Sequence, residues 1–431
     1  MMSILLKNAQ VITLNDDSDV YDKCCVGIKH KKIDYVGHYY PGIDDEYETV
    51  LDCTDKAVMP GFVNAHTHSA MTIFRNYADD MKLMDWLYKK IFPLEDKLDG
   101  DIVYWASSLA IVEMIKSGTT MFNDMYFFMD KTAEACIDSG IKAALARGLS
   151  GDVADNDDPK IKEAVELYKN YNNAGEGRIK VMLSPHAIYT CSLPYLKMVA
   201  EKSREFKIPI HTHVSETKSE VDGSIKKYGM SPVKLLDNIE MLKNDTVAAH
   251  CVVVDDDDLR ILSQRGVNVA HNPESNMKLA SGIAPVTKMT DMGINVCIGT
   301  DGASSNNNLD MVEELRMAAY LQKVHNEDPT ALPVDEVLKM ATINGAKALG
   351  FKDSGMIKEG MAADIIVINT DKPYYYPRYD IKSAIVYSGS SSDVETVIID
   401  GSIVMKNNEL VTMDEERIYS EVGRCVKKLI G

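Results

Sequence analysis

Eight apolar runs of strand length recur across the middle of the 431-residue chain, and each ends in polar or charged residues. Their ends read GFVNAHTH, TTMFNDM, KAALARGL, KVMLSPHAIYT, IPIHTHVSET, TVAAHCVVV, VNVAHNPESN and NVCIGTDGASSNN. The spacers between them include DIVYWASSLAIVEMIKSG, KTAEACIDSG, PYLKMVAEKSREFK and DDLRILSQRG. These have helical periodicity and often close on glycine. Strands that alternate with helices build a parallel sheet. Eight such units predict an α/β fold, a (β/α)8 TIM-type barrel, which takes roughly 250 residues or more.

The chain ends have a different rhythm. ILLKNAQVITL, CCVGIKHKKIDYVG and YETVLDCTDKAVMPG are β-rich and punctuated by Asp, Gly and Pro. Similar material returns as AADIIVINTD and ETVIIDGSIVMKNNELV. Pairing the two ends predicts one small β-sandwich domain with the barrel inserted in it. Its N-terminal half covers residues 1–58, the barrel 59–352, and its C-terminal half 353–431.

Composition narrows the function classes. The chain is 45% hydrophobic and 26% charged, as expected of a soluble globular protein. Its net charge of −18, from Asp+Glu 65 against Lys+Arg 47, argues against nucleic acid as a partner, because phosphate binding needs concentrated Lys and Arg. The N-terminus does not read as a signal peptide. No stretch reaches the roughly 18 apolar residues of a membrane span. None of the eight cysteines forms a CxxC pair, and most sit in apolar runs. Reduced, buried thiols in a cytoplasmic protein are the expectation.

Of ten histidines, seven lie in the strand-end segments: His66, His68, His186, His211, His213, His250 and His271. Active sites of this fold sit at the C-terminal ends of its strands. His66 and His68 are two apart, so a strand aims both the same way. With His213 from the fifth strand and Asp301 from the eighth, they suit a zinc-like ion with one position left open for water. Such an ion brings the pKa of a bound water near 7. Glu216, three residues past His213, is placed to reach that water as a proton shuttle without being a ligand. His250 would orient or polarise the nucleophile. His211 is expected to face away from the ligands or support them, and His271 to hold a loop. There is no HExxH, GxSxG or P-loop. The absence of CxxC excludes the deaminase type built on HxE and PCxxC.

PGFVNAHTH, HTHVSET, HNPESNMKLASGIAPV and GTDGASSNN resemble the amidohydrolase superfamily. SNMKLASGIAPV and SPHAIYTCS are narrower and resemble its 5-methylthioadenosine/S-adenosylhomocysteine deaminase family, which includes 5′-deoxyadenosine deaminases. The likeness covers essentially the whole chain. It implies hydrolytic deamination of a 5′-modified adenosine (5′-deoxyadenosine, 5′-methylthioadenosine, S-adenosylhomocysteine or adenosine) to the inosine analogue and ammonia. It implies His66, His68, His213 and Asp301 as metal ligands, with Asp301 also taking a proton from the hydrolytic water. Glu216 would protonate the purine N1, and His250 would polarise the hydroxide. Glu95 would hold the ribose diol, His186 would contact base or sugar, Trp86 would stack on the purine, and Arg147 would face the 5′ substituent. A homo-oligomer is implied as well.

Dinuclear members of the superfamily place a carbamylated lysine at the end of the fourth strand. Here that strand ends in Ser184, Pro185 and His186, with Lys180 at its beginning. One divalent ion per subunit is therefore expected, zinc first, with Fe, Mn, Ni or Co accepting the same donors. Another substrate class on this fold is guanine, cytosine or a triazine, against which the HNPESNMKLASG segment weighs. A metal-free scaffold protein should have lost ligands, and this chain keeps all four.

Overall fold

Each of the eight runs forms a strand of one parallel sheet, and the strands follow one another around it in chain order. They are Phe62–Thr67, Thr119–Tyr126, Lys142–Leu149, Ile179–Pro185, Ile210–Val214, Thr246–His250, Asn268–His271 and Asn295–Ile298. The structure is a computed structural model and describes residues 3–15, 19–155 and 157–431.

Side-chain alternation sorts each strand into two faces. Val63, Met121, Ala144, Ala146, Met182, Val247, Ala270 and Cys297 share one apolar cluster with Ala346, Leu349 and Phe351. Residues from seven strands meet this way only inside a barrel, and the segment around Phe351 plugs its floor. The alternate residues, such as Phe122, Leu145, Val181, Ile210, Val214 and Val269, pack in the outer core with the helices.

The helices start and stop where the sequence marks them. Asp99, Ser192, Thr217 and Asp255 cap the N-termini of Gly100–Lys116, Leu193–Phe206, Lys218–Tyr228 and Asp256–Arg265. Gly140 and Gly266 end their helices at φ 85° and 66°, a left-handed conformation that suits glycine.

The first and last barrel strands are not joined by a regular ladder. The Thr300 amide donates to Asn64 Oδ1 at 3.0 Å, Asn64 Nδ2 donates to Thr300 Oγ1 at 2.7 Å, and the Asp301 amide donates to the His66 carbonyl at 2.9 Å. This seam lies at the C-terminal ends of the strands and sets His66 beside Asp301. The first strand also carries one extra residue: Asn64 to Thr67 faces Phe122 to Asp124. Such a bulge re-aims the side chains beyond it, so His66 and His68 turn inward although Val63 also faces the interior.

Both chain termini enter a second, nine-stranded mixed sheet. Lys56–Pro60 lies parallel to Ile4–Ile12 and antiparallel to Ile365–Asn369, which stitches the two ends together. Ile4–Ile12 divides its partners, pairing Thr49–Asp52 along its first half and Lys56–Pro60 along its second. The sheet folds over one core in which Ile4, Val26 and Ile28 meet Ile365, Val367 and Ile398. The two expected layers are thus one hydrogen-bonded sheet.

Lys142 ties this sheet to the barrel. Its ammonium, almost fully buried, reaches Asp364 at 2.6 Å and Asp400 at 2.7 Å. The C-terminal segment does more than complete the sheet. Helix Glu415–Ile430 returns to helix Gly100–Lys116, buries Cys425 and Leu429, and pairs Arg424 with Asp101 at 2.7 Å. All eight cysteines are buried and free. Among the described residues, no helix is long and apolar enough to cross a membrane.

Candidate active site at the barrel mouth

His66 and His68 end the first strand beyond its bulge. His213 ends the fifth, where Ile210 and Val214 face outward and so turn His211 and His213 inward. Asp301 follows the eighth strand across the seam. Donor atoms of His66, His68 and His213 lie within 4.8 Å of one another, and so do those of His66, His250 and Asp301. Asp301 Oδ1 stands 3.4 Å from His66 Nε2 and 3.3 Å from His68 Nε2.

Each imidazole is held from behind through Nδ1, leaving Nε2 to face the centre. His68 Nδ1 meets the Met125 carbonyl at 2.6 Å, and His213 Nδ1 meets the His186 carbonyl at 2.8 Å. A carbonyl accepts only, so both Nδ1 atoms carry a proton, and Nε2 is the atom left to meet a ligand. His66 Nδ1 bonds His211 Nε2 at 2.8 Å, which makes His211 a supporting residue. Ser275 Oγ donates to Asp301 Oδ2 at 2.6 Å. Metal ligands are commonly oriented this way by a second layer of hydrogen bonds.

The donor set fits a divalent ion. His66 Nε2 is buried without a hydrogen-bond partner, a costly arrangement unless something binds there. Burial pushes the His66 imidazole down to about 4 and holds His213 well below its ordinary value. Both are thus neutral, the state that ligation requires. Burial alone would raise Asp301, but the imidazole of His66, whose Nε2 stands 3.4 Å away, and those of His68 and His250 hold it well below the usual carboxylate range. His250 differs. Burial would lower it, yet the carboxylates of Glu216 and Asp301 raise it overall. Its Nδ1 lies 2.9 Å from Asn276 Oδ1. His250, Asp301 and Ser215 all have positive φ, at 72°, 60° and 51°. Strain of this kind in non-glycine residues concentrates at functional sites.

A cavity of about 780 Å³ opens over this centre, large enough for a nucleoside. Its wall brings together every residue named above for the substrate: Trp86, Glu95, Arg147, His186 and Glu216. Trp86 and Glu95 ride on residues 83–95, a helical segment with a π-turn at Leu87–Ile91 that lies across the mouth. Glu95 is raised by burial and accepts a hydrogen bond from Tyr126 Oη at 2.7 Å. Burial, reinforced by the neighbouring imidazoles His68 and His66, lowers His186 to about 3, so it is a neutral hydrogen-bonding group. Arg147 pairs with Glu163 at 2.9 Å and lies over the Phe127 ring while also facing the cavity.

One expectation fails. His271 holds no loop by hydrogen bonding, because neither of its ring nitrogens has a partner among the described residues. Other residues escaped sequence reasoning altogether. Asp124 accepts from the Ser69 amide at 2.7 Å and from Ser69 Oγ at 2.6 Å, fixing the turn that follows His68. Tyr126, Ser275 and Asn276 act similarly on Glu95, Asp301 and His250. Only their strand-end or post-strand positions hinted at such work.

Imidazoles and a carboxylate converging at the C-terminal mouth of a parallel barrel, under a nucleoside-sized cavity, define a hydrolase of the metal-assisted class. The chain belongs to the amidohydrolase family, whose profile matches residues 57–404. A 5-methylthioadenosine/S-adenosylhomocysteine deaminase of Dictyoglomus thermophilum is 50% identical over 386 residues, 90% of each chain. A 5′-deoxyadenosine deaminase of Methanosarcina mazei is 46% identical over 435 residues, covering 100% of this chain and 99% of that one. The crystal structure of an adenosine deaminase from Xanthomonas campestris with bound zinc matches with a TM-score of 0.94. That structure is 32% identical and covers 99% of this chain and 98% of its own.

Proposed function

We propose that this chain hydrolyses the 6-amino group of 5′-modified adenosines, giving the inosine analogue and ammonia. It does so with one zinc ion held by His66, His68, His213 and Asp301. The observation that supports this reading is that donor atoms of His66, His68 and His213 lie within 4.8 Å of one another while Asp301 Oδ1 stands 3.4 Å from His66 and 3.3 Å from His68, with Glu216 in the same cavity wall. Deaminase relatives at 46–50% identity over 90% or more of the chain support the substrate class.

When bound, a divalent ion at this point makes water a nucleophile near neutral pH. The chain's own groups do the rest. Glu216 is raised by burial, so its carboxyl is able to carry a proton to the purine N1. Asp301 accepts a proton from the attacking water, and His250 stabilises negative charge on it. A new C6–O bond forms, and Asp301 passes the water's proton to the amino group, which leaves as ammonia when the C6–N bond breaks and the new C6 hydroxyl returns a proton to Glu216. Glu95 accepts from the ribose hydroxyls, Trp86 covers the purine, and the neutral His186 bonds base or sugar.

Elemental analysis of purified protein is expected to give roughly one equivalent of metal. Two equivalents in an active preparation contradict a mononuclear centre.

The tail end of the cavity favours small, uncharged 5′ groups. Arg147 already has Glu163 as its ion-pair partner, and Asp152 also faces the cavity. Lys160 is the first cation after Arg147 in the sequence, and its ammonium is engaged by the Ser150 carbonyl at 2.8 Å. An ammonium also lacks the two-pronged grip of a guanidinium on a carboxylate. 5′-Deoxyadenosine and 5′-methylthioadenosine should therefore be used at least as well as S-adenosylhomocysteine. The experiment is ammonia release from these three and adenosine, with guanine and cytosine as controls. Turnover of guanine or cytosine in place of the nucleosides refutes the substrate class. A tenfold kcat/KM preference for S-adenosylhomocysteine refutes the tail argument.

A further inference from the structure

Glu216 is held in an unusual way. Among the described residues, no side chain hydrogen-bonds its carboxylate, so its position rests on packing and on the backbone that carries it. That backbone follows Ser215, whose φ is 51°. The Ser215 carbonyl accepts from the amides of Val252 at 3.1 Å and Val253 at 2.9 Å. The backbone donors of Ser215 and Glu216 go to one residue: the Ser215 amide donates to Glu220 Oε1 at 3.2 Å, and the Glu216 amide donates to Glu220 Oε2 at 2.8 Å.

Glu220 sits three residues after Thr217, which caps helix Lys218–Tyr228 by accepting from the Glu220 amide at 3.2 Å. At that place an ordinary capping box turns the glutamate back onto the cap residue's own amide. Here both carboxylate oxygens instead reach one and two residues further, to the turn that carries Glu216. Glu220 is buried, and no lysine or arginine pairs with it among the described residues. A buried carboxylate that only accepts two backbone hydrogen bonds is an expensive way to cap a helix.

We propose that Glu220 is a positioning residue for the proton-carrying carboxyl of Glu216, fixing the Ser215–Glu216 backbone so that this carboxyl points into the cavity. This rests on the role given to Glu216 above. Glu220 touches neither substrate nor metal centre and acts only through the turn. Its loss should therefore weaken the proton-transfer step and spare ground-state binding, because a reacting group displaced by about 1 Å costs up to roughly 100-fold.

The test is a mutant cycle on the metal-loaded enzyme, using Glu220→Gln, Glu216→Gln and the double variant, with kcat, KM, metal content and Tm measured for each. Glu220→Gln keeps the side chain's shape but presents an amide nitrogen to one of the two backbone donors. Expected is a roughly 10- to 100-fold fall in kcat with KM and metal content unchanged, and no further fall when it is added to Glu216→Gln. Glu220→Asp, which keeps the charge but is one methylene too short, should show the same dependence on Glu216 and serves if the glutamine variant does not fold. Normal kcat in both Glu220 variants, or a loss that persists undiminished in the Glu216→Gln background, overturns the inference. Full activity in Glu216→Gln alone overturns the role of Glu216 itself, and the inference with it.

Discussion

Replacing Glu216 with glutamine should lower kcat by roughly 10²–10⁴-fold, the usual range for losing general acid/base work, and leave the metal in place. The second half of that expectation is the more discriminating. Glu216 belongs to neither group of side chains whose donor atoms converge, so the amide removes a proton carrier and not a ligand. Its carboxyl is raised by burial, and the nearby Asp301 carboxylate adds to the rise while His250 opposes it. A raised pKa is the direction required of a group that delivers a proton to N1. Paired measurements of turnover and metal content check this. Turnover like the wild type contradicts the proton-carrying role, and loss of metal makes Glu216 a ligand or its support.

Truncating Glu95 to alanine should lower kcat/KM for the nucleosides by roughly 10²–10⁴-fold, with free adenine a poor substrate already for the intact enzyme. Hydrogen bonds to a charged group are worth roughly 1.5–3 kcal/mol each, so two ribose hydroxyls left unpaired lose about 3–6 kcal/mol. Tyr126 Oη, bonded to Glu95 at 2.7 Å, aims the carboxylate before substrate arrives. The variant's effect should therefore be confined to substrates with a ribose. The check is kcat/KM for 5′-methylthioadenosine and adenine with both proteins. If adenine is deaminated as well as the nucleosides, Glu95 does not recognise the sugar.

Much of the fold and site is legible in the amino-acid sequence. An eightfold alternation of apolar runs and helical spacers admits few folds. Strand periodicity makes the residue types at each run's end informative, so His66, His68, His213, His250, Asp301 and Glu216 can be named from position alone. The likeness to known deaminases supplies the roles of Trp86, Glu95, Arg147 and His186; position at a strand end singles out His186 but not its role, and the four meet only across the cavity. Reading His271 as a loop support fails for a related reason. A histidine at a strand end is a candidate for several tasks, and only its neighbours decide among them.

The sequence by itself determined the barrel, the joining of both termini in one small β domain, and the donor types at the mouth, because these depend on side-chain period and residue chemistry within single segments. The tertiary structure alone decided how those donors converge. The bulge between Asn64 and Thr67 re-aims the two histidines, and that offset exists only in the register against Phe122–Asp124. The seam from Asn64 and His66 to Thr300 and Asp301 joins residues far apart in the chain. Glu220 stands three residues after the cap residue Thr217, where a glutamate ordinarily turns back onto the cap's own amide. Its two oxygens went to Ser215 and Glu216 because the positive φ at Ser215 turns those amides toward it, and one residue's backbone angle leaves no signature in residue type.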